Sequence, residues 1–434
     1  MNLTGFEKLI RRILAFPYRH IFKEDMSEGA YFFAKNLFYI VLGYGVAAFC
    51  VFAFQVISGR VFGPEEYGKY ALVDAVTMFL HILMIWGFST AAIKYCAGTR
   101  DKQEQKDIIS SSFWLVLLFS CVFTIIFLVF YRQLASIFSV PPEIFIFSIV
   151  FADFFTVYTV STNILKGINQ MKKLAVFRMV YGVAILACLF LFMLAGRESF
   201  RSIVLSISFA YAIVSLIAIA SVRKYINFKI NIPWAKKLFR YGNYTILGNV
   251  CLAFLPSFND LVVNKNLSVE SVGIYNAYYF SSIGMVFFLM NNFITVFFPM
   301  VSAHLKKITI LKKINKLPPI ILLFGLPLSF ALEWIILSLY GSKYPIYFLL
   351  IAFFALANVF IIIYQLYNWI LYSEGINGAK LANIASMFTV VSNILLAIFL
   401  TPVFGLYGAT FSLAFSYFTG TIILLLLTKK INLT

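Results

Sequence analysis

Residues 381–428 read LANIASMFTVVSNILLAIFLTPVFGLYGATFSLAFSYFTGTIILLLLT and contain no charged side chain. A helix needs about 20 apolar residues to cross about 30 Å of hydrocarbon, so this stretch is too long for one membrane span. Thr401-Pro402 and Gly405 provide a turn near its middle. The stretch therefore predicts two consecutive transmembrane helices joined by a tight connection.

The composition of the whole chain agrees with this interpretation. Of its 434 residues, 62% are apolar and only 12% are charged, and the mean hydropathy is +0.91. Soluble globular proteins average about 45–50% apolar and about 25% charged residues. These values exclude a soluble domain and a disordered chain. The long apolar runs also exclude a barrel, because transmembrane strands alternate apolar and polar residues. We therefore predict an all-α polytopic membrane protein.

Twelve segments are long and apolar enough to cross a membrane, so we predict twelve transmembrane helices. They cover residues 36–58, 71–95, 109–131, 143–165, 178–196, 202–222, 241–263, 273–301, 317–340, 345–371, 380–401 and 405–428.

The basic residues are distributed unevenly between the two sides of the membrane. The net charge is +18, from 35 Lys and Arg residues against 17 Asp and Glu residues. With twelve spans, most basic residues fall on the side of both termini. The other side holds Arg60, Lys69, Arg132, Arg197, Arg201, Lys265 and Lys343. Because cytoplasmic loops are enriched in Lys and Arg, both termini are predicted to be cytoplasmic. The positive charge then reports topology and gives no reason to expect a nucleic-acid partner.

The first 35 residues lack the long apolar core of a signal peptide. Leu9, Ile10, Ile13 and Leu14 recur at helical spacing among basic residues. This pattern predicts an amphipathic helix on the anionic inner leaflet, with an ordinary polar tail as the alternative.

Two motifs recur at a nearly constant spacing along the chain. After the first span residues 60–70 read RVFGPEEYGKY, and after the seventh span residues 265–275 read KNLSVESVGIY. A second motif, Gly-Ile-Asn, follows the fourth span at 167–169 and the tenth span at 375–377. The offsets of 205 and 208 residues indicate a duplication of six helices. An even number of spans in each half predicts two lobes related by an axis along the membrane normal.

The predicted organisation is therefore two pseudo-symmetric six-helix lobes with short flanking segments. The segments are a cytoplasmic amphipathic N-terminal region (1–35), an N-lobe (36–222), a cytoplasmic linker (223–240), a C-lobe (241–428) and a cytoplasmic tail (429–434). Two such lobes suit alternating access around a central cavity, and a duplicated inert scaffold is the alternative.

No motif in the sequence predicts catalysis or a bound cofactor. His20, His81 and His304 are scattered, and the five cysteines all fall in predicted spans without metal-ligand spacing. There is no phosphate-binding Walker loop, and the predicted non-cytoplasmic loops are short. We therefore expect a transporter rather than an enzyme, with H⁺ or Na⁺ as a possible coupling ion and no other cofactor.

Five ionisable residues inside spans are candidates for ion coupling. Asp153 and His81 are predicted near the midplane, whereas Asp74, Asp260 and Glu333 lie closer to the non-cytoplasmic interface. A charge at the bilayer centre costs about 2.5–3.5 kcal/mol, so such residues usually face a cavity or the protein interior. The alternatives are a hydrogen-bonded structural group at the midplane and a group that reaches interfacial water near the membrane surface.

Five cations are candidates for binding an anionic substrate. Arg60 and Lys265 are equivalent in the repeat and lie on the sparsely basic side, where they suit a paired clamp for a diphosphate. Lys35, Lys94 and Arg178 lie at the cytoplasmic ends of predicted spans. All five have interfacial anchoring of a span as the alternative role.

The sequence resembles a known family over most of its length. RVFGPEEYGKYAL (60–72), followed by GFSTAAIKY (87–95), resembles the polysaccharide-transporter branch of the MOP superfamily. This branch contains Wzx-type flippases, and MATE exporters are distant relatives. Supporting matches are Gly273-Ile-Tyr, Pro299, Leu339-Tyr-Gly-Ser-Lys-Tyr and Gly405-Leu-Tyr-Gly-Ala.

The resemblance implies two six-helix lobes in a V around a cationic cavity. It also implies flipping of an undecaprenyl-diphosphate-linked oligosaccharide, an O-antigen, capsule or exopolysaccharide repeat unit, across the bacterial inner membrane. The driving force would be H⁺, Na⁺ or the membrane potential. Arg60 and Lys94 match basic positions frequent in the family, and Asp260 matches a frequent acidic position.

Two other functions remain open at this point. One is a MATE-like H⁺- or Na⁺-coupled exporter of drugs or small molecules, which would favour an acidic, aromatic cavity. The other is a membrane glycosyltransferase or polysaccharide polymerase. The partners expected for a flippase are the lipid-linked oligosaccharide, membrane lipids and enzymes of polysaccharide synthesis (a polymerase and glycosyltransferases), and we expect a monomer.

Overall fold

The computed structural model describes residues 28–99, 101–168, 170–197, 199–227, 229–303 and 307–430. Side chains are described from residue 45 onward, except at 97–98, 171–172, 244–245, 247–254, 256, 292, 295–296, 298–300, 302–308, 375–377 and 429–430. The described chain is helical and contains no strand. Its helices are α1 (Glu28–Ile85), α2 (Phe88–Gly98), α3 (Lys102–Val129), α4 (Tyr131–Ile137), α5 (Pro142–Gly167), α6 (Met171–Leu194), α7 (Phe200–Val222), α8 (Ile232–Asn266), α9 (Val269–Tyr279), α10 (Met285–Ala303), α11 (Lys307–Ile314), α12 (Leu317–Ile320), α13 (Leu326–Tyr340), α14 (Phe348–Ser373), α15 (Gly375–Phe404) and α16 (Leu406–Lys430).

Ten helices of the described chain are long and apolar enough to cross a membrane. This confirms the all-α polytopic fold class. One of the ten, Gly45–Ile85, overlaps two of the predicted spans, 36–58 and 71–95, and α8 corresponds to a further predicted span. The structure is therefore compatible with twelve transmembrane helices. The predicted amphipathic segment lies almost entirely in residues 1–27, outside the described part of the chain.

The first two predicted spans are joined by a kink instead of a loop. We expected a connection between residues 58 and 71, but α1 is interrupted only at Gly63, whose φ of 82° and ψ of 171° are not helical. A positive φ of this kind favours glycine, which has no Cβ to clash. Pro64 follows and suits the first turn of the next helix, because its missing N–H needs no partner there.

The repeated motif forms the corresponding bend in the second half of the chain. There α8 ends at Asn266, and α9 begins at Val269 after the N-cap Ser268. The Ser268 side chain accepts a hydrogen bond from Ser271 N at 3.1 Å, which satisfies a free donor of the first turn. Gly63 and Ser268 are 205 residues apart, as the repeat requires.

The helix after the linker begins earlier than predicted. We expected a linker over 223–240, but α8 already begins at Ile232, so its first turns occupy the second part of that segment. The Asn231 side chain caps this helix by accepting a hydrogen bond from Trp234 N at 3.2 Å. Below, the N-half means α1–α7 and the C-half means α8–α16. The linker side is the side of the membrane where residues 223–231 join the halves, and the far side is the opposite one.

The two halves meet most closely on the far side, where α1 crosses α9 at Gly68 and Gly273. A Cβ built at Gly273 would lie 2.7 Å from the carbonyl carbon of Pro64 and 3.0 Å from Gly68 N. A Cβ at Gly68 would lie 2.9 Å from Gly273 N. These two glycines are equivalent positions of the repeat. The axis that relates the halves therefore passes close to this crossing.

Two hydrogen bonds between the halves repeat the same symmetry. Asn264 Nδ2 donates to Ser139 O at 2.7 Å, and Tyr344 OH donates to Gly59 O at 3.0 Å. Asn264 lies 205 residues after Gly59, and Tyr344 lies 205 residues after Ser139. The far side is thus closed by symmetry-related contacts on both sides of the axis.

The linker is attached to the N-half. Asn227 N donates a hydrogen bond to Ser110 Oγ of α3 at 2.7 Å, and Asn231 N donates to Ser111 Oγ at 2.9 Å. The start of α8 continues this contact, because Trp86 Nε1 donates to Asn243 Oδ1 at 2.8 Å. The first turns of the C-half therefore rest on the N-half.

Polar and apolar side chains are arranged as expected for a protein in lipid. In α7 the buried face contains Ser202, Ser206 and Ser208, whereas Leu216 on the same helix is 69% exposed. Small hydroxyl residues allow close helix packing in a bilayer, where apolar side chains gain nothing by leaving the lipid.

Candidate substrate cavity and buried acidic groups

A cavity of about 570 Å³ lies between the two halves. Its walls come from α1, α5 and α6 of the N-half, and from α10, α13 and the wide turn 280–284 between α9 and α10 of the C-half. The lining residues are Ala47, Ala48, Phe49, Val51, Phe52, Tyr158, Arg178, Tyr181, Phe280, Gly284, Met285, Phe288 and Ile336. Most of these side chains are apolar or aromatic, and Arg178 is the charged member of this set.

Most of the cavity wall is nearer to the linker side of the protein, although Ile336 lies close to the far-side end of α13. At about 1.5 Å per residue, Arg178 lies about 24 Å along α6 from Leu194, where that helix ends on the far side. Phe288 lies about 28 Å from the far-side start of α9 at Val269.

A second cation lies in the same region of the structure as Arg178. Lys166, near the end of α5, is within electrostatic range of Arg178. Lys166 Nζ donates a hydrogen bond to Asn163 Oδ1 at 2.9 Å, and Asn163 Nδ2 donates to Ser89 Oγ at 3.1 Å. Lys166 is not among the cations that the sequence pattern predicted to bind substrate. Its position one residue before the repeated Gly-Ile-Asn motif was the available signal.

A stack of aromatic rings extends from the cavity wall into the N-half. Tyr158 and Tyr181 line the cavity, and both rings contact Tyr211, with centroid distances of 4.7 Å and 5.1 Å. Phe155 continues the stack at 5.4 Å from Tyr211. The ring of His81 follows at 4.4 Å from Phe155.

The structure brings together two predicted acidic residues from different halves. Asp74 of α1 and Asp260 of α8 are within electrostatic range of each other. Asp260 is 7% exposed. Its Oδ2 accepts a hydrogen bond of 3.4 Å from Asn276 Nδ2, and its Oδ1 has no partner among the described residues. Tyr279 is within range of both carboxylates.

Asp153 and His81 each have side-chain hydrogen-bond partners within the N-half. Ser120 Oγ donates to Asp153 Oδ1 at 2.7 Å, and Thr124 Oγ1 is 2.8 Å and 3.0 Å from the two carboxylate oxygens. His81 Nδ1 is 2.8 Å from Thr156 Oγ1. Neither residue lines the cavity between the halves. Glu333 of α13 is fully buried in the C-half.

The cations predicted to bind substrate do not form one site in this structure. Arg60 is exposed on the far side, with Nη1 3.4 Å from Leu339 O. Lys265 is also exposed there, but it lines a different groove of about 460 Å³ beside Ser139. Lys94 lies on the linker side, with Nζ 4.2 Å from the ring centroid of Tyr241.

Among the predicted cations whose side chains the structure describes, only Arg178 lines the cavity between the halves. Lys35 is on α1, but its side chain lies outside the described part of the structure. No group of three or more His, Cys, Asp or Glu residues suited to a metal ion occurs in the described chain.

Solved structures with the same fold cover most of the chain. An inward-facing multidrug resistance MATE family transporter of the MOP superfamily is 14% identical, with a TM-score of 0.69 over 89% of this chain and 93% of that chain. An outward-facing MATE family transporter is 13% identical, with a TM-score of 0.64 over 94% and 98%. The lipid II flippase MurJ in an inward closed conformation is 15% identical, with a TM-score of 0.63 over 91% and 88%.

The family of the chain is assigned from a sequence match and not from the structural neighbours. No curated protein matches the chain. A family model described as "Polysaccharide biosynthesis protein" matches residues 33–305, which is more than half of the chain. The structural neighbours named above are transporters and a flippase, and none of them is an enzyme. The chain therefore belongs to the polysaccharide biosynthesis protein family, and its fold is the one found in the MOP superfamily.

Proposed function

We propose that this multi-pass membrane protein is a flippase for a lipid-linked oligosaccharide. The substrate would be an undecaprenyl-diphosphate-linked repeat unit of O-antigen, capsule or exopolysaccharide. It would cross the bacterial inner membrane from the cytoplasmic leaflet, and H⁺, Na⁺ or the membrane potential would drive the cycle. The observation that carries the proposal is the mainly apolar cavity between the halves, with Arg178 as its charged wall residue.

The chemistry of the cavity matches the charged part of such a substrate. A diphosphate that leaves water loses its hydration and needs a fixed cation in return. Arg178 offers a guanidinium that can bind two phosphate oxygens at once. Lys166 adds positive charge in the same region. The apolar walls, including Phe52 and Phe280, tolerate the first isoprenoid units of the lipid.

The aromatic wall suits the sugar part of the substrate. Sugar rings have apolar C–H faces that pack on aromatic rings, and Tyr158 and Tyr181 expose ring surface to the cavity. Asp74 is within electrostatic range of Tyr181. A carboxylate and phenol groups together can accept hydrogen bonds from sugar hydroxyls.

The closed far side supports loading from the linker side. The crossing of Gly68 with Gly273 leaves no room for a substrate between α1 and α9. The distribution of basic residues assigns the linker side to the cytoplasm. A second conformation, open on the far side, would complete an alternating-access cycle.

Transport by an Arg178→Gln variant tests the proposal. The purified protein would be reconstituted with a fluorescent diphosphate-linked oligosaccharide lipid, and flipping measured as loss of fluorescence to an impermeant quencher. A hydrogen bond to a charged group is worth about 1.5–3 kcal/mol, so substrate affinity should fall roughly 10- to 150-fold. The matched control is Lys173→Gln, which removes an exposed cation from the same helix. Equal transport by both variants would contradict the role of Arg178.

A deletion strain distinguishes a flippase from a polymerase. Loss of a flippase leaves a single complete lipid-linked repeat on the cytoplasmic leaflet, whereas loss of a polymerase leaves it on the other leaflet. Sidedness of the repeat in a deletion strain therefore separates the two functions.

One observation favours a second candidate, a MATE-like exporter of organic cations. Asp74 and Asp260 bring two carboxylates together between the halves, with Tyr279 beside them. Such an acidic, aromatic site attracts a cation. If this candidate is correct, wild-type protein does not flip the lipid, and Asp74→Asn abolishes efflux of a cationic dye while Arg178→Gln does not.

A further inference from the structure

The groove of about 460 Å³ on the far side lies between the two halves. Phe79 and Phe138 line it from the N-half, with ring centroids 5.6 Å apart. Phe258 of α8 and Ile398 of α15 line it from the C-half, and Lys265 of α8 is the charged lining residue. None of the described residues that line this far-side groove also lines the substrate cavity. The two spaces are therefore separate.

The repeat explains why the far-side groove is open. On the other side of the symmetry axis, the rings of Tyr340 and Tyr344 fill the contact between the halves, and both are almost completely buried. A Cβ at Gly59 would lie 2.5 Å from Tyr340 Cδ1. The residues 205 positions before the two tyrosines are Ala135 and Ser139. The loss of two aromatic rings accounts for the space on this side of the axis.

The cation in the far-side groove is not explained by topology or by a partner. The far side is sparsely basic, so a Lys there does not serve the positive-inside distribution. Lys69 and Arg201 on the same side form ion pairs with carboxylates. Arg60, the repeat equivalent of Lys265, has Nη1 3.4 Å from Leu339 O. Lys265 is exposed, and no described carboxylate forms an ion pair with it.

The position of the far-side groove in the membrane suits a phospholipid. At about 1.5 Å per residue, Phe258 lies about 10 Å below Lys265 along α8. Ile398 lies about 9 Å from the far-side end of α15 at Phe404. The charged end is therefore at the interface, and the apolar walls are at the depth of acyl chains. Ile137 and Ile398 are 74% and 46% exposed, so the groove is open to the surrounding lipid.

The charge of the groove selects among lipids. Basic pockets between membrane helices bind anionic lipid headgroups, and a Lys side chain can extend along an apolar surface to reach the interface. A zwitterionic lipid carries its own ammonium group, which already balances its phosphate. An unpaired Lys265 therefore favours a lipid with a net negative charge. The lipid-linked oligosaccharide fits less well, because the aromatic wall that suits its sugars belongs to the separate substrate cavity.

We propose that the far-side groove binds an anionic phospholipid of the far-side leaflet. Lys265 Nζ holds the phosphate, and an acyl chain lies between Phe138 and Phe258. Because the walls belong to both halves, the lipid binds only while the halves are together on this side. A ligand stabilises the conformation that binds it, so the bound lipid favours the closed far side. The site is independent of which substrate the protein carries.

Native mass spectrometry of the purified full-length protein in detergent tests the lipid site without any substrate. Wild-type protein is expected to bind phosphatidylglycerol more tightly than phosphatidylcholine with the same acyl chains. Lys265→Gln should weaken phosphatidylglycerol binding about fivefold, since one cation at a membrane surface contributes a factor of this size. Ile398→Trp places a larger ring in the groove and should weaken binding of both lipids. Arg60→Gln removes the equivalent exposed cation on the side filled by tyrosines, so it is the matched control and should resemble wild type.

The conformational effect is measured by spin labels at exposed far-side positions of the two halves, with the protein in lipid nanodiscs. Phosphatidylglycerol nanodiscs should give more of the shorter distance than phosphatidylcholine nanodiscs, and Lys265→Gln should remove this difference. An identical distance distribution in both lipids would overturn the proposal that the lipid favours the closed far side.

Three binding results would overturn the lipid site itself. The first is equal affinity of wild-type protein for phosphatidylglycerol and phosphatidylcholine. The second is an equal loss of phosphatidylglycerol binding in Lys265→Gln and Arg60→Gln, which would mean that only surface charge matters. The third is tighter binding of undecaprenyl diphosphate than of phosphatidylglycerol, lost in Lys265→Gln, which would make the groove part of a substrate path. The role of Arg178 in flipping is tested separately and does not depend on these results.

Discussion

The crossing of Gly68 with Gly273 predicts that a single methyl group opens the far side of the protein. The obstacle is backbone, since a Cβ at Gly273 would overlap the Pro64 carbonyl and lie 2.7 Å from its carbon. Ordinary contact begins at 3.4 Å. Relief of the contact with this carbon alone would require the two helices to separate by about 0.7 Å in Gly273→Ala. The carbonyl oxygen lies nearer still, so the actual separation must be larger, and no side chain can move aside instead.

The magnitude follows from the cost of overpacking. Extra methyl groups in a well-packed contact cost about 1–3 kcal/mol. This cost applies only to the conformation in which the far side is closed. The ratio of closed to open molecules should therefore fall roughly 5- to 150-fold. A double variant, Gly68→Ala with Gly273→Ala, should add less than the sum of the two, because the first methyl already separates the helices.

Distances between spin labels on the far side measure this shift. Suitable positions are Arg197 of the N-half and Val403 of the C-half, both exposed, in a background without the five native cysteines. Gly273→Ala should transfer population to a longer distance. Gly45→Ala is the control, because a Cβ there meets nothing within 4 Å. If wild type, Gly273→Ala and Gly45→Ala give the same distance distribution, the crossing does not determine closure of the far side.

Two further predictions concern single hydrogen-bonded groups. Tyr344→Phe removes the hydrogen bond of 3.0 Å to Gly59 O, which is worth about 0.5–1.5 kcal/mol. The ratio of closed to open molecules should therefore fall roughly 2- to 13-fold, with the same lengthening of the spin-label distances. An unchanged distance distribution would refute this prediction. Asp153→Asn removes the charge held by Ser120 and Thr124, so transport in proteoliposomes should be impaired and should change its dependence on pH or Na⁺. Unchanged dependence on both ions would remove Asp153 from the coupling mechanism.

The helices and the duplication were predictable because both produce patterns in the sequence itself. A span is visible as a long apolar run, and the repeat is visible as Arg60 to Tyr70 matching Lys265 to Tyr275. The repeat identified Gly68 and Gly273 as equivalent residues. It could not show that they touch, because a shared sequence position does not say how far a residue lies from the symmetry axis. The kink at Gly63 was missed because the short polar segment around it is equally typical of a loop.

The candidate site was less predictable, since it depends on which helix faces which. Depth along a span put Asp74 and Asp260 close to the non-cytoplasmic interface and favoured access to interfacial water for Asp260, which the structure shows to be buried. Their approach across the halves required the three-dimensional arrangement. Arg60 and Lys265 were paired on the basis of symmetry, but symmetry also places them in separate contacts on the far side. For Glu333, depth alone favoured access to interfacial water, whereas the structure shows complete burial.

The contact between Gly68 and Gly273 has the character of an isologous dimer interface within one chain. In a two-fold symmetric dimer, a residue near the axis meets its own copy, so any substitution there acts twice. A duplicated chain removes that restriction, because each copy can change alone. Here both positions remain glycine, although either one could have been enlarged independently of the other. The consequence is that the fused chain still closes like a pair of identical subunits, while residues farther from the axis, such as Asp153 and Asn358, have become different.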